Sequence, residues 1–153
     1  MMHTWFLCKI RYEKVMENGM QKKVTEPYLV DALSFTEAEA RIIEEMTPFI
    51  SGEFTVSDIK RANYSELFPC EEEAADRWFK CKLVFITLDE KSGAEKKTST
   101  QVLVQAADLR DAVKKLDEGM KGTMADYQIA SVAETAIMDV YPYSAEPDDK
   151  PEV

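Results

Sequence analysis

Histidine is almost missing from this chain: of 153 residues only His3 is one. That scarcity excludes Ser-His-Asp triads, histidine acid/base pairs and multi-histidine metal sites. Cysteine is scarce too. Cys8, Cys70 and Cys81 are an odd number without CxxC spacing, so neither a disulfide framework nor a zinc site is expected. The five glycines, at 19, 52, 93, 119 and 122, spell neither GxGxxG nor GxxxxGK[ST], which leaves a nucleotide cradle without support. No apolar run approaches the roughly 18 residues of a membrane span, and the opening "MMHTWFLCKIRYEK" lacks the apolar stretch of a secretory leader. The expectation is a cytoplasmic protein away from membranes, with no catalytic residue, no metal and no cofactor, and no enzymatic reading emerges.

Positive charge is also in short supply. Lys and Arg number 19 against 29 Asp and Glu, a net of −10, which argues against broad electrostatic binding to nucleic acid or anionic lipid. The segment "EEEAADR" at 71–77 and the tail "SAEPDDKPEV" at 144–153 each carry −3 of that net. The folded body is closer to neutral and leaves room for a local basic patch. Glu71, Glu72 and Glu73 read as a solvated linker, and the tail, with its prolines and acids, as disordered. Glu37, Glu39, Glu44 and Glu45 read as the acidic surface of a helix rather than as paired catalytic carboxylates. With 45% hydrophobic residues, the chain can close a real core.

What the chain does contain, it contains twice. "TWFLCKIRYEKVMENGMQKK" from Thr4 returns as "RWFKCKLVFITLDEKSGAEKK" from Arg77. Trp5, Phe6, Cys8 and Lys9 match Trp78, Phe79, Cys81 and Lys82 at an offset of 73. One extra turn residue makes the offset 74, at which Gly19, Lys22 and Lys23 meet Gly93, Lys96 and Lys97. The same offset carries "YLVDALSFTEAEARIIEEM" onto "VLVQAADLRDAVKKLDEGM", and an offset of 73 then pairs "FTVSDIKRANYSELFP" with "YQIASVAETAIMDVYP". This is the pattern of an internal duplication.

Each copy reads as strand, turn, strand, helix, strand. Phe6, Cys8, Ile10 and Tyr12 alternate with Trp5, Leu7, Lys9 and Arg11, the period of a strand. "ENGM" is a hairpin turn, since Asn-Gly tolerates positive φ, and "KSGAE" serves the second copy. Return strands are expected near 22–33 and 96–107, and helices near 35–47 and 109–121. Ser34 with Glu37, and Asp108 with Asp111, stand at the spacing of a capping box. Phe35, Ala38, Ile42 and Met46 mark one buried stripe, and Leu109, Ala112, Leu116 and Met120 the other. Closing strands lie near 53–62 and 126–136, and the proline of "LFP" or "VYP" reads as a stop. The expected fold is α+β: repeats 4–69 and 77–142, joined by a linker at 70–76, forming a single domain over 1–143. The two ββαβ units pair about a pseudo-twofold axis, in a mostly antiparallel sheet of about six strands with two helices on one face.

One constellation points to binding. Trp5, Lys9 and Arg11 lie on the strand face opposite Phe6 and Cys8, and Trp78, Lys80 and Lys82 opposite Phe79 and Cys81. Lys22, Lys23, Lys96 and Lys97 extend the set. Aromatics among cations on an open sheet can stack single-stranded bases and neutralise phosphates. The preferred reading of the two indoles is that they pack beneath the linker, the C-terminal segment or a second subunit, with lysine stems lying over them.

The stretches "MMHTWFLCKIRYEK", "NGMQKKVTEPYLVDALSFTEAEARI", "RWFKCKL" and "VYPY" resemble an uncharacterised bacterial family of small acidic proteins, a domain of unknown function found in Bacteroidetes genomes and related phages. The resemblance covers roughly residues 1–143. It implies no activity, catalytic residue or ligand, and its phage or mobile-element setting adds weight to nucleic acid as a partner. Two readings stand. The first is a non-enzymatic protein-interaction or assembly module, binding a protein partner or itself through the sheet face or an edge strand. The second is an accessory protein that binds single-stranded nucleic acid on the aromatic and basic face, and it requires Trp5 and Trp78 to be exposed.

Overall fold

The structure is a computed structural model that describes residues 4–142; His3 and the acidic tail lie outside the described residues. Strands β1 (Trp5–Val15) and β2 (Gln21–Asp31) form an antiparallel hairpin whose turn is closed by Gly19 at φ 84°. Helix α1 (Phe35–Met46) follows, then β3 (Phe54–Ala62) and the short β4 (Glu66–Phe68). The order repeats as β5 (Arg77–Leu88), β6 (Glu95–Ala106), α2 (Leu109–Gly119), β7 (Asp126–Glu134) and the short β8 (Asp139–Tyr141).

The eight strands make two four-stranded sheets, ordered β3-β1-β2-β8 and β4-β6-β5-β7. This α+β arrangement replaces the single sheet of about six strands expected from sequence. Each sheet has one helix of its own, α1 with β1–β3 and α2 with β4, β6 and β7. The "LFP" and "VYP" segments are also more than stops. Leu67 and Phe68 pair in parallel with Leu103 and Val104 of β6, while Val140 and Tyr141 pair with Leu29 and Val30 of β2. Proline ends the ladder because it has no N–H, but it biases the residue before it toward extended backbone. Pro69 and Pro142 therefore follow a paired strand residue directly.

This pairing crosses the two halves of the chain. β8 comes after the second hairpin in sequence and adds to the first sheet; β4 comes before the second hairpin and adds to its sheet. Two compact units result, one taking residues 4–62 together with 137–142, the other Asn63–Ala136. Residues 70–76, expected as a solvated linker, belong to the second unit. The Cys70 amide donates to Gln105 Oε1 at 2.9 Å, Ala75 is buried, and Glu72 meets Lys115 Nζ at 3.2 Å.

Each unit has its own core, on the face toward its helix. In the first, Phe6, Cys8, Ile10, Val30 and Ala32 pack with Ala38, Ile42 and Met46; in the second, Phe79, Cys81, Leu83, Val102, Val104 and Ala106 pack with Ala112, Leu116 and Met120. Period-two alternation on the strands and helical spacing on α1 and α2 select these residues. Phe35 and Leu109, expected in the buried stripes, are each 51% exposed. They are the first residues of their helices, and Phe35 meets Phe6 edge-on at 4.9 Å between ring centres.

Both caps form. The Glu37 amide donates to Ser34 Oγ at 3.1 Å and the Asp111 amide to Asp108 Oδ1 at 2.8 Å. Glu37 and Asp111 reach back to accept from the amides of Leu33 and Ala107, so each helix start satisfies donors that the helix itself cannot. Gly119 has a different task. A Cβ built on it would lie 2.8 Å from two ring carbons of Phe68, so only glycine lets β4 seat its aromatic ring on the end of α2.

Candidate functional site

Residues directly opposite in an antiparallel ladder share a face, so the register sorts the sequence-derived binding residues. Lys9 lies opposite Pro27 and Asp58, Arg11 opposite Thr25 and Thr55, and Lys23 opposite Glu13. Trp5, Lys9, Arg11 and Lys23 therefore share the face away from α1. Lys22, opposite Lys14, falls on the other face. In the second sheet Trp78, Lys80, Lys82 and Lys97 share a face, with Lys97 opposite Ile86, whereas Lys96, opposite Thr87, does not. Each lysine pair is thus split by the pleat, one member per face.

Trp5 and Trp78 are buried, at 4% and 5% exposure, and neither presents an indole face to solvent. The cations differ: Arg11, Lys22, Lys23, Lys80, Lys82, Lys96 and Lys97 are exposed and Lys9 is half-buried. Their electrostatic settings also differ between units. Lys9 and Lys23 have Asp58 and Glu13 directly opposite. Lys80 faces Leu103 and Ala133, and Lys82 faces Gln101 and Ser131, all neutral.

A groove of about 970 Å³ lies at the turn end of the first unit's hairpin. Arg11, Lys14 and Lys23 line its polar side with Glu13 and Glu53, and Tyr12, Val15, Phe49 and Phe54 supply apolar wall. Val15 is 65% and Phe49 75% exposed. Met16 and Met20, also exposed, stand in the adjoining turn. None of the periodic patterns in the sequence marks this groove. Its signal was a phenylalanine directly after "TP", in the turn between helix and strand, where no periodic element calls for one.

Beside the groove, on the helix-facing side of the sheet, Tyr12 and Tyr28 both donate their hydroxyls to Glu26 Oε1, at 2.9 and 3.2 Å. Lys14 Nζ lies 3.7 Å from Glu26 Oε2. Burial, and then the Glu26 carboxylate, push both phenols up from their ordinary range. Tyr141 of β8 stacks on Tyr28 at 6.2 Å between ring centres, and burial followed by Asp139 and Glu45 raises its phenol to about 12. Phenols so held are neutral donors at physiological pH, suited to fixing a carboxylate rather than to proton transfer.

Burial raises the thiols too, that of Cys8 to about 12, with Asp58 assisting, and that of Cys81 to about 11. Thiols in this state are poor nucleophiles and poor ligands. Among the described residues no group of three or more His, Cys, Asp or Glu is placed to hold a metal ion. Among the described residues no helix is long and apolar enough to cross a membrane.

No curated protein and no solved structure matches the chain. A family model does: with 4–143 matched to the family described as Domain of unknown function (DUF4494), the chain belongs to that family.

Proposed function

We propose that this protein is a non-enzymatic interaction or assembly module, built by duplication of one ββαβ unit. The duplication is supported by equivalences that do not depend on residue identity. The ladder register shifts between Lys9 and Ile10 in one sheet and between Lys82 and Leu83 in the other, positions related by the offset of 73. The two N-caps share a φ of −156°, and the strand orders correspond once β4 and β8 are exchanged.

The observation that carries the interaction reading is the groove walled by Val15 and Phe49. Large apolar side chains left in water beside a concavity with charges on its rim are the usual make-up of a protein contact. The test substitutes Phe49→Asp and Val15→Asp in the full chain and measures self-association by sedimentation and partner capture by pull-down. Loss of association with unchanged circular dichroism supports the reading, and association unaffected by both substitutions refutes it.

Nucleic acid remains the second reading, favoured by the neutral surroundings of Lys80 and Lys82. With Trp78 buried it would rest on phosphate contacts alone and show a steep dependence on salt. Fluorescence anisotropy with a labelled single-stranded oligonucleotide decides: no binding at low salt, or binding indifferent to Lys80→Glu and Lys82→Glu, removes it.

A further inference from the structure

Strand β8 enters the first sheet as a bound peptide would. Its immediate neighbour in sequence, β7, belongs to the other sheet, so nothing local brings it to β2. Three parallel ladder pairs hold it, Tyr28 with Asp139, Leu29 with Val140 and Val30 with Tyr141. The Met138 amide donates to the Pro27 carbonyl at 2.8 Å at the front of the segment. At its end Arg41 donates to the carbonyls of both Asp31 and Pro142, the latter at 3.1 Å. Stacking of Tyr141 on Tyr28 fills the space between. Backbone pairing along an edge, an aromatic in a side-chain site and a guanidinium at the terminal carbonyl are together the recognition chemistry of strand addition.

The geometry points to a strand-docking site on the β2 edge, flanked by α1, whose occupant is the segment Ile137–Pro142 of a second copy of the chain as well as of its own. A site that recognises this segment cannot distinguish the two sources, because the contacts are the same. Exchange therefore costs only the opening of the connection and the loss of association entropy, which is why swapping an identical element is an easy route to dimers. The connection that must open is Thr135–Met138, four residues outside any strand or helix. Thr135 holds the Trp78 carbonyl through both its amide and its hydroxyl, at 2.9 Å each, and Met138 holds Pro27. These anchors leave Ala136 and Ile137 to span the hinge.

This inference names a second copy as one partner and rests on the assembly reading above, but it uses a surface that excludes Val15 and Phe49. The experiment uses the full chain in two preparations, one labelled with a donor dye and one with an acceptor, unfolded in urea and refolded together at increasing concentration. The expected result is a dimer fraction that rises with concentration and shows energy transfer, at least tenfold higher when Ala136 is deleted to shorten the hinge. A synthetic peptide, Ile-Met-Asp-Val-Tyr-Pro, added during refolding should reduce the dimer of the unaltered chain several-fold, while a scrambled peptide should not. Phe49→Asp should leave this exchange intact, and its loss in that variant would assign the dimer to the groove instead. The inference is overturned by a chain that stays monomeric at every concentration, or by a dimer that the peptide leaves unchanged. Both outcomes are read on the unaltered chain, so a misfolded deletion variant cannot obscure them.

Discussion

Gly119→Ala is the most discriminating single substitution in the second unit, because two opposite effects meet there. Gly119 ends α2 with ordinary negative φ, so alanine would adopt its backbone freely and bring a helix-propensity gain of up to about 1 kcal/mol. Against this, the new Cβ would stand 2.8 Å from Cδ1 and Cε1 of Phe68 and 3.0 Å from Cγ. The contact at Cγ means the ring cannot swing clear by its far end alone. Phe68 is also tied through its backbone to Val104 in the β4–β6 ladder, so β4 or the end of α2 must shift. Overpacking of this kind costs about 1–3 kcal/mol, and the expected net effect is destabilisation of about 1 kcal/mol, read as a lower urea midpoint at constant m. In a Phe68→Ala background the obstacle is gone, and the same change should be neutral or stabilising, a coupling of about 2 kcal/mol between two touching sites. Stabilisation of the wild-type background by Gly119→Ala, or strict additivity with Phe68→Ala, would mean that Phe68 does not rest on α2 and that β4 is seated elsewhere.

Further outcomes follow from the caps, the thiols and one carboxylate. Ser34→Ala and Asp108→Ala should each cost about 1 kcal/mol in urea unfolding, since each orphans a helix-start amide; two neutral results would contradict the cap geometry. A thiol reagent should modify one cysteine per native chain, the half-exposed Cys70, and three in denaturant; rapid native modification of Cys8 or Cys81 would show the sheets opening locally. Asp111 is held below the ordinary carboxylate range by the Ala107 amide first and by Lys115 second. A lowered folded-state pKa contributes stability above the ordinary value of 3.8 and loses it as pH falls through the folded value. Asp111→Asn should therefore lower the urea midpoint at pH 7, with the gap to wild type closing below about pH 3.8; a gap independent of pH would exclude the ion pair as its cause.

The hairpins, helices and caps were legible in the sequence because each is fixed by neighbours within a few residues. Asn18-Gly19 specifies a turn, Ser34 with Glu37 a helix start, and Phe6, Cys8 and Ile10 a buried strand face, whatever lies elsewhere. The partners of β4 and β8 were not legible. A strand of three residues has too few positions to show a period, its parallel partner is far away in sequence, and Pro69 and Pro142 look the same whether they end a paired or an unpaired segment. The burial of Trp5 and Trp78 was illegible for a related reason. Trp5 and Trp78 alternate with lysines, a local pattern of an open face, yet their burial is decided by packing that a single strand does not encode. Charge at 71–73 pointed to solvent, and all three glutamates are exposed, but it gave no sign of the ion pair of Glu72 with Lys115 or of the burial of Ala75.

The crossing of β4 and β8 also sets an order of completion during synthesis. The second unit is contiguous from Asn63 to Ala136, so every strand of its sheet has been made by the time Glu134 leaves the ribosome. The first unit's sheet begins with β1 at Trp5, well before Asn63, yet it lacks its fourth strand until Asp139–Tyr141 have been added. The N-terminal half is then the last to finish. Throughout the translation of residues 63–138 the nascent chain carries β2 with one row of amides and carbonyls unpaired, an edge of the kind that chaperones bind and neighbouring chains on one polysome can join. The rate at which codons beyond residue 134 are read thus becomes a determinant of yield.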